Sequence, residues 1–66
     1  MKAPEKKPFV KLTGADGNAF FIIGTAARAL QRAGADKEYI DQFRLEAESG
    51  DYDNVLQTVM KHCDVG

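Results

Sequence analysis

The stretch GNAFFIIGTAARALQRAGAD, residues 17–36, decides the fold because it contains one complete helix with its start and stop signals. Asn18 precedes the apolar residues, and an asparagine side chain at that position accepts hydrogen bonds from the first-turn N–H groups. Apolar residues then recur every three or four positions until Gly34, a typical residue just beyond a helix end. We predict a central helix over 19–33, with an inner stripe of Phe20, Ile23, Ala27 and Leu30 and, beside it, Ile22, Ala26, Ala29 and Ala33.

Two further helices are indicated by aspartates that precede periodic apolar segments. Asp36 predicts a helix over 37–48, and Asp51 predicts another over 52–62. The Ser49-Gly50 pair separates the two helices. The predicted buried positions are Tyr39, Ile40, Phe43 and Ala47 in the second helix, and Tyr52, Val55, Leu56, Val59 and Met60 in the third.

Short strands are predicted at the two ends of this helical region. The segment PFVKLT, residues 8–13, alternates between apolar and other side chains, with the proline at its start where a missing N–H is tolerated. The segment CDVG, residues 63–66, is a candidate second strand beside it. The predicted fold is therefore α+β in the order β-α-α-α-β, as one small domain over 9–66 behind a flexible tail over 1–8.

Composition limits the class of protein. The 66 residues are 44% hydrophobic and 29% charged, a globular profile with room for one small core. The single cysteine, Cys63, excludes an internal disulfide and favours a reducing compartment. No apolar run approaches the ~18 residues of a membrane span, and MKAPEKKPF lacks the apolar region of a secretory signal. We expect a cytoplasmic protein without membrane contact, and so small a core makes a homodimer a possible source of added stability.

Charge is unevenly distributed. Residues 1–34 carry six Lys or Arg and two Asp or Glu, a sum of +4, whereas residues 35–66 carry three and eight, a sum of −5. The asymmetry fits either a partner-binding surface or two solvated faces of opposite sign. The residues singled out as a possible interaction surface are Phe21, which lies off the main apolar stripe of the first helix, and the cations Lys11, Arg28 and Arg32.

The segment from Gly14 to Asn18 has two interpretations. A glycine-rich turn before a helix can bind an anion through its N–H groups. However, the lysine and hydroxyl residues of a nucleotide-binding loop are missing, and Asp16 and Asn18 have no glutamate placed to complete a calcium shell. A turn followed by a helix cap accounts for every residue, and we predict that structure.

No residue pattern favours catalysis, a metal or a cofactor. His62 and Cys63 are neighbours and point about 100° apart on a helix, with no orienting acid nearby in the sequence. A packed cysteine and a histidine at the negative end of a helix explain them better. The acidic group Glu46, Glu48, Asp51 and Asp53 is typical of helix caps and first turns. We predict that the protein is not an enzyme and uses no cofactor.

The segments DGNAF, residues 16–20, and SGDYDNVL, residues 49–56, resemble a group of small uncharacterised bacterial, plasmid and phage proteins. The resemblance covers about residues 10–65 and implies a bacterial, cytoplasmic accessory role, with no site residues carried over. The favoured function is a protein–protein interaction module with an unknown protein partner. The alternative is a nucleic-acid-associated accessory protein that uses the basic N-terminal half, although acidic residues in the third helix make nucleic acid an unfavourable partner.

Overall fold

The computed structural model describes residues 1–11 and 18–66. Within these ranges, three helices and two short strands follow one another in the predicted order β-α-α-α-β. The protein is a small α+β domain. Its elements are β1 (Phe9–Val10), α1 (Ala19–Arg32), α2 (Lys37–Glu48), α3 (Tyr52–His62) and β2 (Asp64–Val65).

Helix α1 begins and ends where its sequence signals predict, within one residue. The Asn18 carboxamide oxygen accepts hydrogen bonds from the N–H groups of Phe20 at 2.9 Å and Phe21 at 3.2 Å. Beyond the last turn, Gly34 adopts a φ of +102°, a region that side chains with a Cβ rarely enter. The buried face of α1 consists of Ile22, Ile23, Ala26, Ala27 and Leu30.

Helices α2 and α3 have the predicted bounds because local caps define both starts. The carboxylates of Asp36 and Asp51 accept hydrogen bonds from the N–H groups of Tyr39 and Asn54, respectively. The link between the helices is tight: the Asn54 side chain donates to the Glu46 carbonyl at 2.9 Å. A Cβ added at Gly50 would lie 2.9 Å from the Asn54 Cβ, so glycine is required there for close approach.

The two strands pair in parallel, with Phe9 opposite Asp64 and Val10 opposite Val65. The Asp64 N–H donates to the Pro8 carbonyl at 2.9 Å, and the Gly66 N–H donates to the Val10 carbonyl at 3.2 Å. The prediction of a terminal strand beside the first is confirmed. Residues 12 and 13 of the predicted first strand lie outside the described residues.

The core is formed where all three helices meet the sheet. Its largest fully buried side chains are Phe43, Ile22, Leu30, Val59 and Cys63. The buried position of Cys63 confirms the prediction of a packed cysteine.

Three predicted core positions are wrong. Phe20 is 79% exposed, and Tyr52 and Met60 are also exposed. Phe20 and Tyr52 occupy the first turns of α1 and α3, at the margin of the core. In α3 the buried stripe is rotated toward Thr58 and His62, because the His62 ring packs edge-on against Phe43 and thereby turns that side of α3 toward α2.

The segment before β1 lies along the turn between α1 and α2. The Glu5 N–H donates to the Ala33 carbonyl, and the Asp36 N–H donates to the Lys2 carbonyl, both at 3.0 Å. The Lys2 N–H donates to the Asp36 carboxylate at 2.8 Å. These contacts place the segment against the domain, while its mobility stays a prediction.

Candidate interaction surface

A stripe of three exposed side chains and one half-buried side chain, that of Thr25, follows the outer side of α1. Phe21, Thr25, Arg28 and Arg32 are spaced by four, three and four residues, a spacing that brings them onto one side of a helix. The hydroxyl of Thr25 donates to the Phe21 carbonyl at 2.9 Å, one turn back. Helix α1 contains no acidic residue, so this side of the domain is apolar and positively charged.

Strand β1 completes this surface because it runs beside α1. A shallow groove of about 240 Å³ separates the two elements and includes Lys11, Arg28 and Arg32 in its lining. The exposed Phe9 ring lies between this groove and a second depression of about 410 Å³, which reaches Lys6 and Ala33. We name the combined surface the basic face and define it by Phe9, Lys11, Phe21, Thr25, Arg28 and Arg32.

The cations of the basic face form no ion pair with any described residue. Within the described ranges, Lys11, Arg28 and Arg32 have no carboxylate oxygen within 4.0 Å. Two exposed aromatic rings accompany these cations: Phe9 is 65% exposed and Phe21 is 60% exposed. The structure thus gathers three of the four residues singled out in the sequence around one groove and places Phe21 on the same helical stripe. Their role in binding stays a prediction.

The segment that precedes α1 contributes one described residue, Asn18. Asn18 caps the helix with its side chain, as predicted. Residues 14–17, for which anion or calcium binding was considered, lie outside the described residues.

A polar network at the junction of α2 and α3 was missed by sequence reasoning. The Tyr39 hydroxyl lies 2.6 Å from His62 Nδ1, and His62 Nε2 lies 3.0 Å from a Glu46 carboxylate oxygen. The other carboxylate oxygen accepts from Lys61 Nζ at 2.7 Å. The folded chain thus brings His62 against an acid, Glu46, that lies 16 residues away and outside its sequence neighbourhood. The available signal was the placement of Tyr39, Phe43 and Glu46 at i, i+4 and i+7 on α2.

Both ring nitrogens of His62 have a hydrogen-bonding partner within this network. When the His62 ring carries its proton on Nε2, it donates to Glu46 and its Nδ1 accepts from Tyr39, so both ring nitrogens are occupied. Burial raises the pKa of the Tyr39 hydroxyl and thereby opposes its ionisation. The arrangement holds α2 against α3. In the described part of the chain, no three side chains form a metal-binding group.

We expect Glu46→Gln to make unfolding less sensitive to acid. Hydrogen bonds from Lys61 and His62 lower the pKa of the Glu46 carboxyl, so its stabilising effect is present above the ordinary pKa and disappears as the pH falls through the lowered one. Because the Glu46 carboxylate is partly exposed, its contribution to the free energy of unfolding at pH 7 is below about 1 kcal/mol. Urea unfolding at pH 7 and at about pH 2 measures it, since the difference from wild type shrinks in acid.

The matched control is Glu48→Gln, a change on the same helix at a carboxylate outside the network. A stability difference for Glu46→Gln that is equal at both pH values contradicts the prediction.

The start of α3 is acidic. Asp51 caps α3, as the sequence predicts, and Asp53 accepts a hydrogen bond from Gln57 at 2.9 Å. None of the helices in the described ranges combines the length and apolarity needed to cross a bilayer.

Comparison with known proteins assigns no family to this geometry: no family model, curated protein or solved structure matches the chain. The resemblance to small bacterial, plasmid and phage proteins therefore stays a prediction.

Proposed function

We propose that the protein is a non-enzymatic interaction module whose basic face binds an acidic surface of a partner protein. The observation that carries the proposal is the group Lys11, Arg28 and Arg32, three cations without a carboxylate partner in the described ranges, beside the exposed Phe9 and Phe21 rings. Partner carboxylates would supply the missing counter-charges. Arginine suits this role because its planar guanidinium pairs with a carboxylate through two parallel hydrogen bonds.

The aromatic rings give the proposed interface its apolar contribution. Burying the exposed parts of Phe9 and Phe21 removes apolar surface from water, which stabilises the complex by about 25 cal/mol per Å² of buried apolar surface. Phenylalanine and arginine are also both enriched at protein interfaces relative to the rest of the surface. Charge then determines which partner binds, and the two rings add affinity.

A nucleic-acid-associated role is the second candidate. Cations interleaved with aromatic rings also suit a single strand, whose bases stack on the rings. However, three cations contact only about three phosphates, so the logarithm of the binding constant would fall with the logarithm of the salt concentration with a slope of only about −2 to −3. The electrostatic contribution to binding would therefore be weak. The chain also has a net charge of −1, which opposes a polyanion. We therefore favour a protein partner.

The proposal includes a cytoplasmic setting and an accessory role in a bacterium, plasmid or phage. The cytoplasmic setting is supported by the single cysteine, Cys63, which is free and buried. The accessory role rests on the resemblance of DGNAF and SGDYDNVL to small proteins of that origin.

Photo-crosslinking in cells tests the basic face directly. A photoreactive residue at Thr25 is expected to give one protein adduct of defined mass, whereas one at Gln57, exposed on α3, gives none. Arg28→Glu with Arg32→Glu should reduce the Thr25 adduct at least ~10-fold, because carboxylates then face the acidic partner. Arg44→Glu is the matched control, an exposed charge reversal on α2 that leaves the adduct intact.

Two results would contradict the proposal. An adduct that persists in the doubly reversed variant shows that the charges are not used. An adduct that is removed by nuclease rather than by protease favours the nucleic-acid alternative.

A further inference from the structure

Another surface depression lies beside α1, at the junction of α2 and α3. It has a volume of about 370 Å³, with an apolar floor and the exposed Phe20 and Tyr52 rings on its sides. The carboxylates of Glu48 and Asp51 lie at its edge. We name this depression the acidic groove and define it by Ala19, Phe20, Ile23, Ala47, Glu48, Gly50, Asp51, Tyr52 and Val55.

The charges of the acidic groove complement those of the basic face. In the described part of the chain, the carboxylates of Glu48, Asp51 and the adjacent Asp53 have no cation within 4.0 Å. Among the described residues, the domain thus offers three carboxylates without an ion-pair partner around an apolar depression. It also offers three cations without an ion-pair partner beside two exposed aromatic rings.

We infer that the acidic groove binds the basic face of a second copy of this chain. This inference rests on the proposed function and names the partner of the same site. The Phe21 ring of one copy enters between Phe20 and Tyr52 of the other, where aromatic rings pack edge-to-face or offset. Arg28, two helical turns beyond Phe21 or roughly 10 Å along α1, then reaches the carboxylates at the edge of the groove.

The size of the domain gives this contact a physical rationale. Chains of about 60 residues bury only about 60% of their unfolded surface, which leaves large apolar side chains exposed. Burial of Phe20, Phe21 and Tyr52 between copies removes apolar area that the single domain leaves in water. Because the two surfaces carry opposite charges, association is stronger at low salt.

Complementary variants test the contact. One variant, Arg28→Glu with Arg32→Glu, disrupts the basic face and keeps the acidic groove. The other, Phe20→Ser with Glu48→Lys, disrupts the groove and keeps the basic face. All four side chains are exposed, so both variants are expected to fold, and their circular dichroism and thermal midpoints are compared with wild type.

Sedimentation equilibrium up to about 1 mM chain gives the readout. Wild type is expected to exceed its 7.2 kDa monomer mass, whereas each variant alone stays at 7.2 kDa. An equimolar mixture of the two variants is expected to double in mass, because each supplies the surface that the other lacks. Raising the salt from about 50 to 500 mM weakens wild-type association at least ~10-fold. Arg44→Glu is the matched control and associates like wild type.

A wild type that stays at 7.2 kDa, or a mixture that behaves like its separate components, overturns the inference. If the mixture of the two variants does not double in mass while the photoreactive residue at Thr25 still crosslinks to a different protein, the proposed function stands and the second copy is not the partner. If the mixture does not double in mass and charge reversal leaves the Thr25 adduct unaffected, the proposed function and the inferred partner are both wrong.

Discussion

Phe43→Ala is expected to remove at least about a third of the domain's free energy of unfolding at 25 °C. The Phe43 side chain is 1% exposed and forms an edge contact with the His62 ring, at a centroid distance of 5.4 Å. Truncating a buried phenylalanine to alanine costs about 3–5 kcal/mol because it removes apolar contacts and leaves a cavity. At roughly 0.05–0.15 kcal/mol per residue, a chain of this length has only about 3–10 kcal/mol of total stability. Urea unfolding followed by circular dichroism measures the loss.

Leu45→Ala provides the matched control for Phe43→Ala. Leu45 is on the same helix but 66% exposed, so its truncation is expected to change stability by less than about 0.5 kcal/mol. If the two variants have the same unfolding midpoint, the assignment of Phe43 to the centre of the core is wrong.

Cys63 is expected to resist alkylation in the folded protein. Burial raises the pKa of its thiol to about 11. At pH 8 an ordinary cysteine therefore has at least ~100 times more of the reactive thiolate. Reaction with iodoacetamide should then proceed only when the domain opens, and the ratio of rates in urea and in buffer reports that opening.

A Gln57→Cys variant supplies the comparison within one molecule. Its new thiol lies on the exposed side of α3 and is expected to react quickly, while Cys63 in the same chain stays protected. Equal rates at both positions contradict the buried placement of Cys63.

The raised pKa of the Cys63 thiol also predicts that the free energy of unfolding falls as the pH rises from about 9 toward 11. In that range the unfolded chain loses the thiol proton, whereas the folded chain keeps it.

The parts of the fold that were predictable depend on local chemistry. Asn18, Asp36 and Asp51 each cap the helix that follows, and the helix bounds agree with the sequence within one residue. Capping involves atoms only two or three residues apart, so the sequence contains all the information that it needs. The same is true of the spacing of Arg28 and Arg32 on α1.

The parts that were missed depend on contacts between distant segments. The rotation of α3 toward Thr58 follows from the packing of His62 against Phe43, and no periodicity within α3 indicates it. The hydrogen bond from His62 to Glu46 likewise requires the antiparallel approach of two helices. The grouping of Lys11 with Arg28 depends on the path of β1 beside α1, which a two-residue strand does not reveal in its own sequence.

The pairing of β1 with β2 has a consequence for the order in which the protein folds. Phe9 and its partner Asp64 are 55 positions apart, so their contact closes a loop that contains all three helices. Closing a loop of that length costs roughly 3–4 kcal/mol of chain entropy before any strand contact forms. During synthesis, β1 is made first and has no partner until β2 has been added. The helices can form from local contacts in the meantime, so we expect the sheet to be the last part of the structure to assemble.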